Sequence, residues 1–420
     1  MASPRRSRTK APLPPGFGAL WSTVALDLVG FGMVIPILGA YATDFGASGL
    51  QVGLLVAAYS AAQFLFSPVW GRLSDRIGRR PVLVISLLGS ALGSLLTGLA
   101  PTLIWLYLGR IVDGASGASV AVAQASATDL ADESERPRLM GMLGAAFALG
   151  FVLGPALGGL AGLVDRRLPF YIAAALAAIN AVAAWRRVPE TNPRHLASKR
   201  PVIARRELFR GTLAQLVIVA FLAISAFSGF EATFAILTED RFAWTQATIS
   251  GVFVAVGLVL AAVQGGLIGH LSRAHGSARV LAGGLALLTS GLIVIGLTDS
   301  IPGLAVGLVL LVSGQGLVSP SMSTLVSVAA PDHSRGAALG VQQSGGALAR
   351  IVGPVLAGAV YHWASPSATY LVAAGLGLVA LALFLFTQPM LPAGNLGATG
   401  DRRGSPGTRG DDDDLLTGAE

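Results

Sequence analysis

Five ionisable residues stand inside stretches that are otherwise apolar: Asp27, Arg110, Asp113, Glu231 and Arg350. At the centre of a membrane span such a group costs at least about 2.5–3.5 kcal/mol, so each needs a partner, a wet cavity or a proton. Asp27, about one third into its segment, suits a proton carrier. It would be neutral when desolvated and ionised when it faces water; the rival role is a structural pair. Arg110 and Asp113 are three residues apart, which puts them on one helix face within reach of each other. Arg110 cannot lose its charge, so it is a fixed counter-ion for which carboxylates compete. Asp113 either shares in proton binding or simply neutralises it. Glu231 lies in FSGFEATFAIL, flanked by Phe227, Phe230 and Phe234. A carboxylate among aromatics suits an amphiphilic solute, including a cationic one.

A second charge cluster is GRLSDRIGRR at 71–80, which holds Arg72, Asp75, Arg76, Arg79 and Arg80 between two uncharged stretches of about twenty residues. Gly71 and Gly78 are expected to permit a tight turn there. At its simplest the cluster anchors topology. Gln63, Gln124, Gln315, Gln342 and Gln343 are candidate cavity donors, although glutamine also joins helices. Gly154-Pro155 and Gly353-Pro354 are expected to bend their helices, because proline removes a helix hydrogen bond; close packing of the glycines is the alternative.

The elements that carry these groups follow from composition. Hydrophobic residues make up 53% of the 420-residue chain and charged residues 12%, against about 25% in soluble domains. The mean hydropathy is +0.68. Much of the chain therefore has lipid as its solvent, and its 54 glycines suit closely packed membrane helices. With no cysteine, disulfides, thiolate zinc sites, Fe–S clusters and cysteine nucleophiles are excluded.

Twelve segments are long enough to span: roughly 18–41, 50–70, 81–100, 103–126, 138–161, 169–185, 211–237, 246–269, 279–298, 302–325, 336–360 and 367–387. Period-2 alternation is absent and lipid leaves backbone groups no other partner, so the segments are helices. The basic N-terminal segment 1–17 precedes a full-length span, which reads as an uncleaved first helix.

With the N-terminus inside, the inner segments hold 24 of the 29 basic residues and the outer loops hold Arg166, Arg167 and Arg241. The positive-inside rule then puts both termini in the cytoplasm, in a cell inner (plasma) membrane. The net charge of +7 is thus a matter of topology, and no nucleic-acid partner is expected. The basic stretch 186–210 is a cytoplasmic linker between six spans (18–185) and six more (211–387), and the tail 388–420, rich in Gly, Pro and Asp, is expected to be disordered.

The halves repeat at an offset of about 199. GRLSDRIG (71–78) aligns with GHLSRAHG (269–276), and GPALGGL (154–160) with GPVLAGA (353–359). The fold class is therefore all-α: a polytopic membrane protein with two parallel six-helix repeats, and a solute site between them near mid-membrane.

These residues also carry a resemblance. GRLSDRIGRRP matches the loop motif of the major facilitator superfamily at every defined position. LYLGRIVDGASGA (106–118) looks like its fourth-span motif, GFVLGPALGG (150–159) like the fifth-span motif of antiporters, and LDLVGFGMVIPIL (26–38) like the first-span motif of twelve-span drug/proton antiporters. The chain resembles the tetracycline/proton antiporter branch most. It departs from that branch in lacking an acidic residue in the ninth span, in having Arg273 for the second loop aspartate, and in carrying Glu231 and Arg350.

The resemblance implies the major facilitator fold, with helices one, four, seven and ten lining a central cavity. It puts Asp27 near a helix-four donor, and it makes the seventh and eleventh helices neighbours, so that Glu231 and Arg350 could pair. It sets Asp75 against the cytoplasmic N-terminus of the eleventh helix, a favourable place for a negative charge by about 0.3–1 kcal/mol. Arg79 would then pair with Asp75, Asp129 or Glu133, forming a latch that closes the cytoplasmic side in the outward-open state and releases it in the inward-open state.

The expected function is secondary active transport: efflux of a hydrophobic or amphiphilic small molecule, such as a drug, in exchange for protons. The alternative is proton-coupled uptake of a sugar, organic acid or other metabolite. No cofactor is expected beyond the proton as coupling ion, no metal, and no partner beyond solute and lipid; the protein is expected to be a monomer and not an enzyme. No ATP-binding loop of the form G-x-x-x-x-G-K-[ST] and no serine-nucleophile signature is present, and His195, His270, His275, His333 and His362 all lie at loops or span ends.

Overall fold

The structure is a computed structural model that describes residues 13–130, 135–191, 211–330 and 335–387. Glu133, His195, His333, most of segment 1–17 and of linker 186–210, and the whole tail 388–420 lie outside the described residues.

The first half contains α1 (Phe17–Thr43), α2 (Gly49–Ile77), α3 (Arg79–Gly98), α4 (Leu103–Ser116), α5 (Ser119–Leu130), α6 (Arg136–Gly162) and α7 (Leu168–Arg187). The second contains α8 (Gly211–Phe242), α9 (Gln246–Ala262), a π-helical turn (Val263–Leu267), α10 (Ile268–His275), α11 (Ser277–Leu297), α12 (Ile301–Ala329), α13 (Arg335–Trp363) and α14 (Pro366–Thr387). Among the described residues, eleven helical stretches are long and apolar enough to cross a membrane. The remaining crossing is α4 followed by α5, two short helices in series.

Each half packs in the same order. In the first, α1 lies on α6 and α3 on α4 and α7; in the second, α8 lies on α13 and α11 on α12 and α14. The halves meet through α2 on α13 and α6 on α9. Glycines bring these helices close. The Pro354 carbonyl lies against Gly53, and Gly49 lies against the Tyr361 ring. Side chains at either glycine would push the halves apart.

The repeat is visible in the backbone. Gly78 joins α2 to α3 at φ 104°, and Gly276 joins α10 to α11 at φ 80°. Both are conformations that a side chain would strain, so each repeat needs glycine at its turn.

Two expectations are corrected here. The 71–80 stretch is not a loop: α2 runs on to Ile77, so Arg72, Asp75 and Arg76 occupy its last turns and Gly78 alone makes the turn. Gly71 is helical, with open space where a side chain would sit. A helix end that has left the apolar core carries charge freely, and hydropathy alone cannot mark its stop. The fourth crossing is also not one continuous helix. It breaks at Gly117, and the freed groups are satisfied locally: Gln63 Nε2 donates to the Gly117 carbonyl at 3.0 Å, Ser86 Oγ donates to the Ser116 carbonyl, and Ala118 N–H donates to Ser86 Oγ at 3.0 Å. A break at membrane depth survives only with such partners.

Candidate functional site

Between the halves lies one large cavity of about 1440 Å³. It is shut at the end that carries the 44–48 turn. There Gly53 meets Pro354, Ser250 packs on Gly159, and Gln246 Nε2 donates to the Pro36 carbonyl at 3.3 Å. Its lining runs on toward the end that carries Gly78 and Gly276, along Leu65, Ser67 and Pro68 of α2, Gly144 of α6 and Gly340 of α13.

All five intramembrane charges line this one cavity. On the first half, Asp27 of α1 accepts a hydrogen bond from Ser119 Oγ of α5. The helix break makes that contact, because it restarts α5 at Ser119 beside α1. Arg110 donates to Asp113 at 2.8 Å, and both side chains are buried. The Arg110 guanidinium also lies over the Tyr59 ring, 4.3 Å from its centre, a contact worth about 0.5–2 kcal/mol. Arg110 is thus neutralised locally, and among the described residues Asp27 has only a neutral hydroxyl for a hydrogen-bond partner.

On the second half, Glu231 of α8 and Arg350 of α13 are held on a tight helix crossing. Ser228 Oγ lies 3.3 Å from the Ala349 carbonyl, and Gly229 lies against the Gly353 carbonyl. The two charges act on each other through space. They nonetheless form no ion pair. Among the described residues no carboxylate oxygen comes within 4.0 Å of an Arg350 nitrogen. A direct ion pair between them is absent, and both line the cavity, Arg350 exposed and Glu231 half-buried.

The other expected cavity residues divide. Phe227, Phe230, Gln63, Gln124, Gln315 and Gln343 lie on the wall. Phe234 does not; it is fully buried inside the second half, tilted against Phe230 and edge-to-face with Phe253. Gln342 also points elsewhere, donating to Ser323 Oγ of α12 at 3.3 Å. One residue per turn separates wall from core on these helices, and an all-apolar background hides which is which. The amide of Gln63 is partly committed to the Gly117 carbonyl. Gly154 and Gly353 sit where α6 crosses α1 and α13 crosses α8, while both helices continue through Pro155 and Pro354.

Three wall residues escaped the reading of the sequence. Tyr59 stands between the charges, stacked on Phe31 with ring centres 5.4 Å apart. Its signal was a tyrosine four residues before Gln63 in a run of small residues. Ser119 was hidden by the apparent continuity of its helix. Gln264 sits in the π-helical turn, where adjacent glycines at 265 and 266 marked the irregularity.

At the Gly78 end, Arg79 is nearly fully buried among Asp75 (2.8 Å), Asp129 (3.1 Å) and Ser74 Oγ (2.6 Å). Glu190, just past α7, accepts from the N–H groups of Arg79 and Arg80 at 2.8 and 3.1 Å. A carboxylate there caps the first turn of α3 and meets its positive dipole end. Arg80 also lies over the Trp185 ring at 4.4 Å.

Comparison with known proteins agrees with this architecture. The profile of the Major Facilitator Superfamily matches residues 20–353 and 267–408. The chain is 32% identical over 386 residues to the class C tetracycline resistance protein of Escherichia coli, covering 89% of this chain and 95% of that one. It is 29% identical to multidrug resistance protein 1 of Bacillus subtilis, covering 81% and 88%. The crystal structure of the human organic anion transporter MFSD10 superposes with a TM-score of 0.69 at 27% identity, covering 88% of this chain and 98% of that one. Eleven long apolar spans among the described residues and the broken fourth crossing, in two matching halves, the cavity between them and these matches lead to one conclusion: the chain belongs to the Major Facilitator Superfamily and is a multi-pass membrane transporter of that family.

Proposed function

We propose that the protein exports a hydrophobic or amphiphilic small molecule, such as a drug, in exchange for protons, by alternating access. The observation that carries this reading is Asp27: a carboxylate on the cavity wall whose only hydrogen-bond partner among the described residues is a hydroxyl, while the nearby arginine is taken by Asp113. Such a group holds a negative charge well only when wet, and takes a proton when the cavity shuts around it. Proton and solute then compete for the same wall, and each stabilises the access state that it binds better. Glu231 supplies a second carboxylate facing the solute. The names of the relatives, which cover tetracycline resistance, multidrug resistance and organic anion transport, support small-molecule transport without choosing among these solutes.

The distribution of basic residues supports one orientation. With the Gly78 end in the cytoplasm, as the positive-inside rule asks, the cavity here faces inward. The Asp75–Arg79–Asp129 cluster then lies at the open mouth, in place to latch α2 toward α13 when that side closes. Protein in liposomes tests direction. In inside-out vesicles, whose lumen stands for the outside of the cell, an acid lumen should drive solute from the medium into the lumen as protons leave; solute leaving the lumen with the protons would refute export and favour symport.

A further inference from the structure

We infer that the transported solute is dipolar: an apolar skeleton with one cationic and one acidic group, clasped between Glu231 and Arg350. The inference rests on the central cavity being the solute site, and it names the solute class that this site takes.

Glu231 and Arg350 sit on neighbouring helices fixed by the crossing at Ser228, Gly229 and Gly353, so their separation is set by backbone packing. They face one cavity, feel each other's charge and still stay more than 4.0 Å apart. The first half treats its arginine differently. Arg110 is closed over by Asp113 at 2.8 Å and by Tyr59. A guanidinium at membrane depth needs an anion or water, and a planar carboxylate meets its fork best. A solute with an acid group satisfies Arg350, and its ammonium satisfies Glu231. Phe227 and Phe230 beside Glu231, and Phe31 and Tyr59 opposite, supply the apolar wall and favour a cation near their faces. A singly charged solute would leave one of the two protein charges unmatched. A dipolar solute also fits exchange with protons, since a proton on Glu231 removes the ammonium's counter-charge while Arg350 stays charged.

Three probes on one skeleton test this: naphthylalanine (dipolar), naphthylpropionate (anionic) and naphthylethylammonium (cationic), each titrated into the full-length protein in lipid nanodiscs. Naphthylalanine should bind at least about 10-fold more tightly than either singly charged probe. Arg350→Gln should lower it to the level of the ammonium, and Glu231→Gln to the level of the propionate. Arg350→Lys and Glu231→Asp should keep most of the preference. The exchange Glu231→Arg with Arg350→Glu should restore part of what either single change loses. Naphthylalanine binding no tighter than one singly charged probe, and indifferent to Arg350→Gln or to Glu231→Gln, would overturn the dipolar solute. The cavity-filling change Ala347→Trp separates the two levels. If it weakens binding of a probe that ignores Arg350, the cavity stands and the dipolar clasp falls; if it leaves every probe's binding unchanged, both fall.

Discussion

Ser119 donates its hydroxyl to the Asp27 carboxylate, tying the restarted half of the fourth crossing to the first helix at the cavity wall. The contact orients Asp27 without supplying a counter-charge. A hydrogen bond to a charged group contributes about 1.5–3 kcal/mol. Ser119→Ala should therefore slow coupled transport by about 10-fold or more, and Ser119→Thr should keep most of it. Initial rates of gradient-driven transport in proteoliposomes check both.

Arg110 and Asp113 form a buried pair, so removing one partner strands the other. Arg110→Gln or Asp113→Asn alone should destabilise the protein by about 3–5 kcal/mol, whereas the double change should cost clearly less than the two singles added. Thermal unfolding in one detergent, run as a double-mutant cycle, measures this. The double variant should still fail to transport if Arg110 is a required counter-ion of the cavity.

Arg79 presents its fork to two aspartates and a serine. A lysine brings the charge but not the fork. Arg79→Lys should lower the unfolding temperature and slow transport by several-fold. Arg79→Gln should cost about 2–4 kcal/mol, with the discount that Asp75 is largely exposed. A transport rate unchanged in Arg79→Gln would reduce the cluster to a topology anchor.

Gly53 lets α2 meet the Pro354 carbonyl of α13 where the cavity is shut. Gly53→Leu should wedge that end open. The chain has no native cysteine, so spin labels at Ala47→Cys and Ala364→Cys report the two sides directly. Their distance should lengthen in Gly53→Leu, and transport should fall by at least about 10-fold, because the state in which this end is shut can no longer form.

Much of the architecture was legible from residues alone. Span number, the repeat and the family motifs follow from long apolar runs and from glycines in matching places, Gly78 with Gly276 and Gly154 with Gly353. All five intramembrane charges line one cavity, because a charge in lipid has few other places to go. Side-chain direction was harder. Phe230 and Phe234 are one turn apart, yet only Phe230 reaches the cavity, and an apolar run shows no polar face from which to tell the helix's rotation. Gln342 and Gln343 split the same way. The break at Gly117 was illegible because its partners, Gln63 and Ser86, come from two other helices far away in the chain.

The central claim is that Asp27 carries the coupled proton. Its most direct test is the Asp27→Asn variant, which keeps a group that can hydrogen-bond Ser119 but cannot ionise. In liposomes with an imposed proton gradient, Asp27→Asn should still bind solute and exchange it across equal pH, yet no longer concentrate it against a gradient. Uphill transport by Asp27→Asn at the wild-type rate would contradict the account.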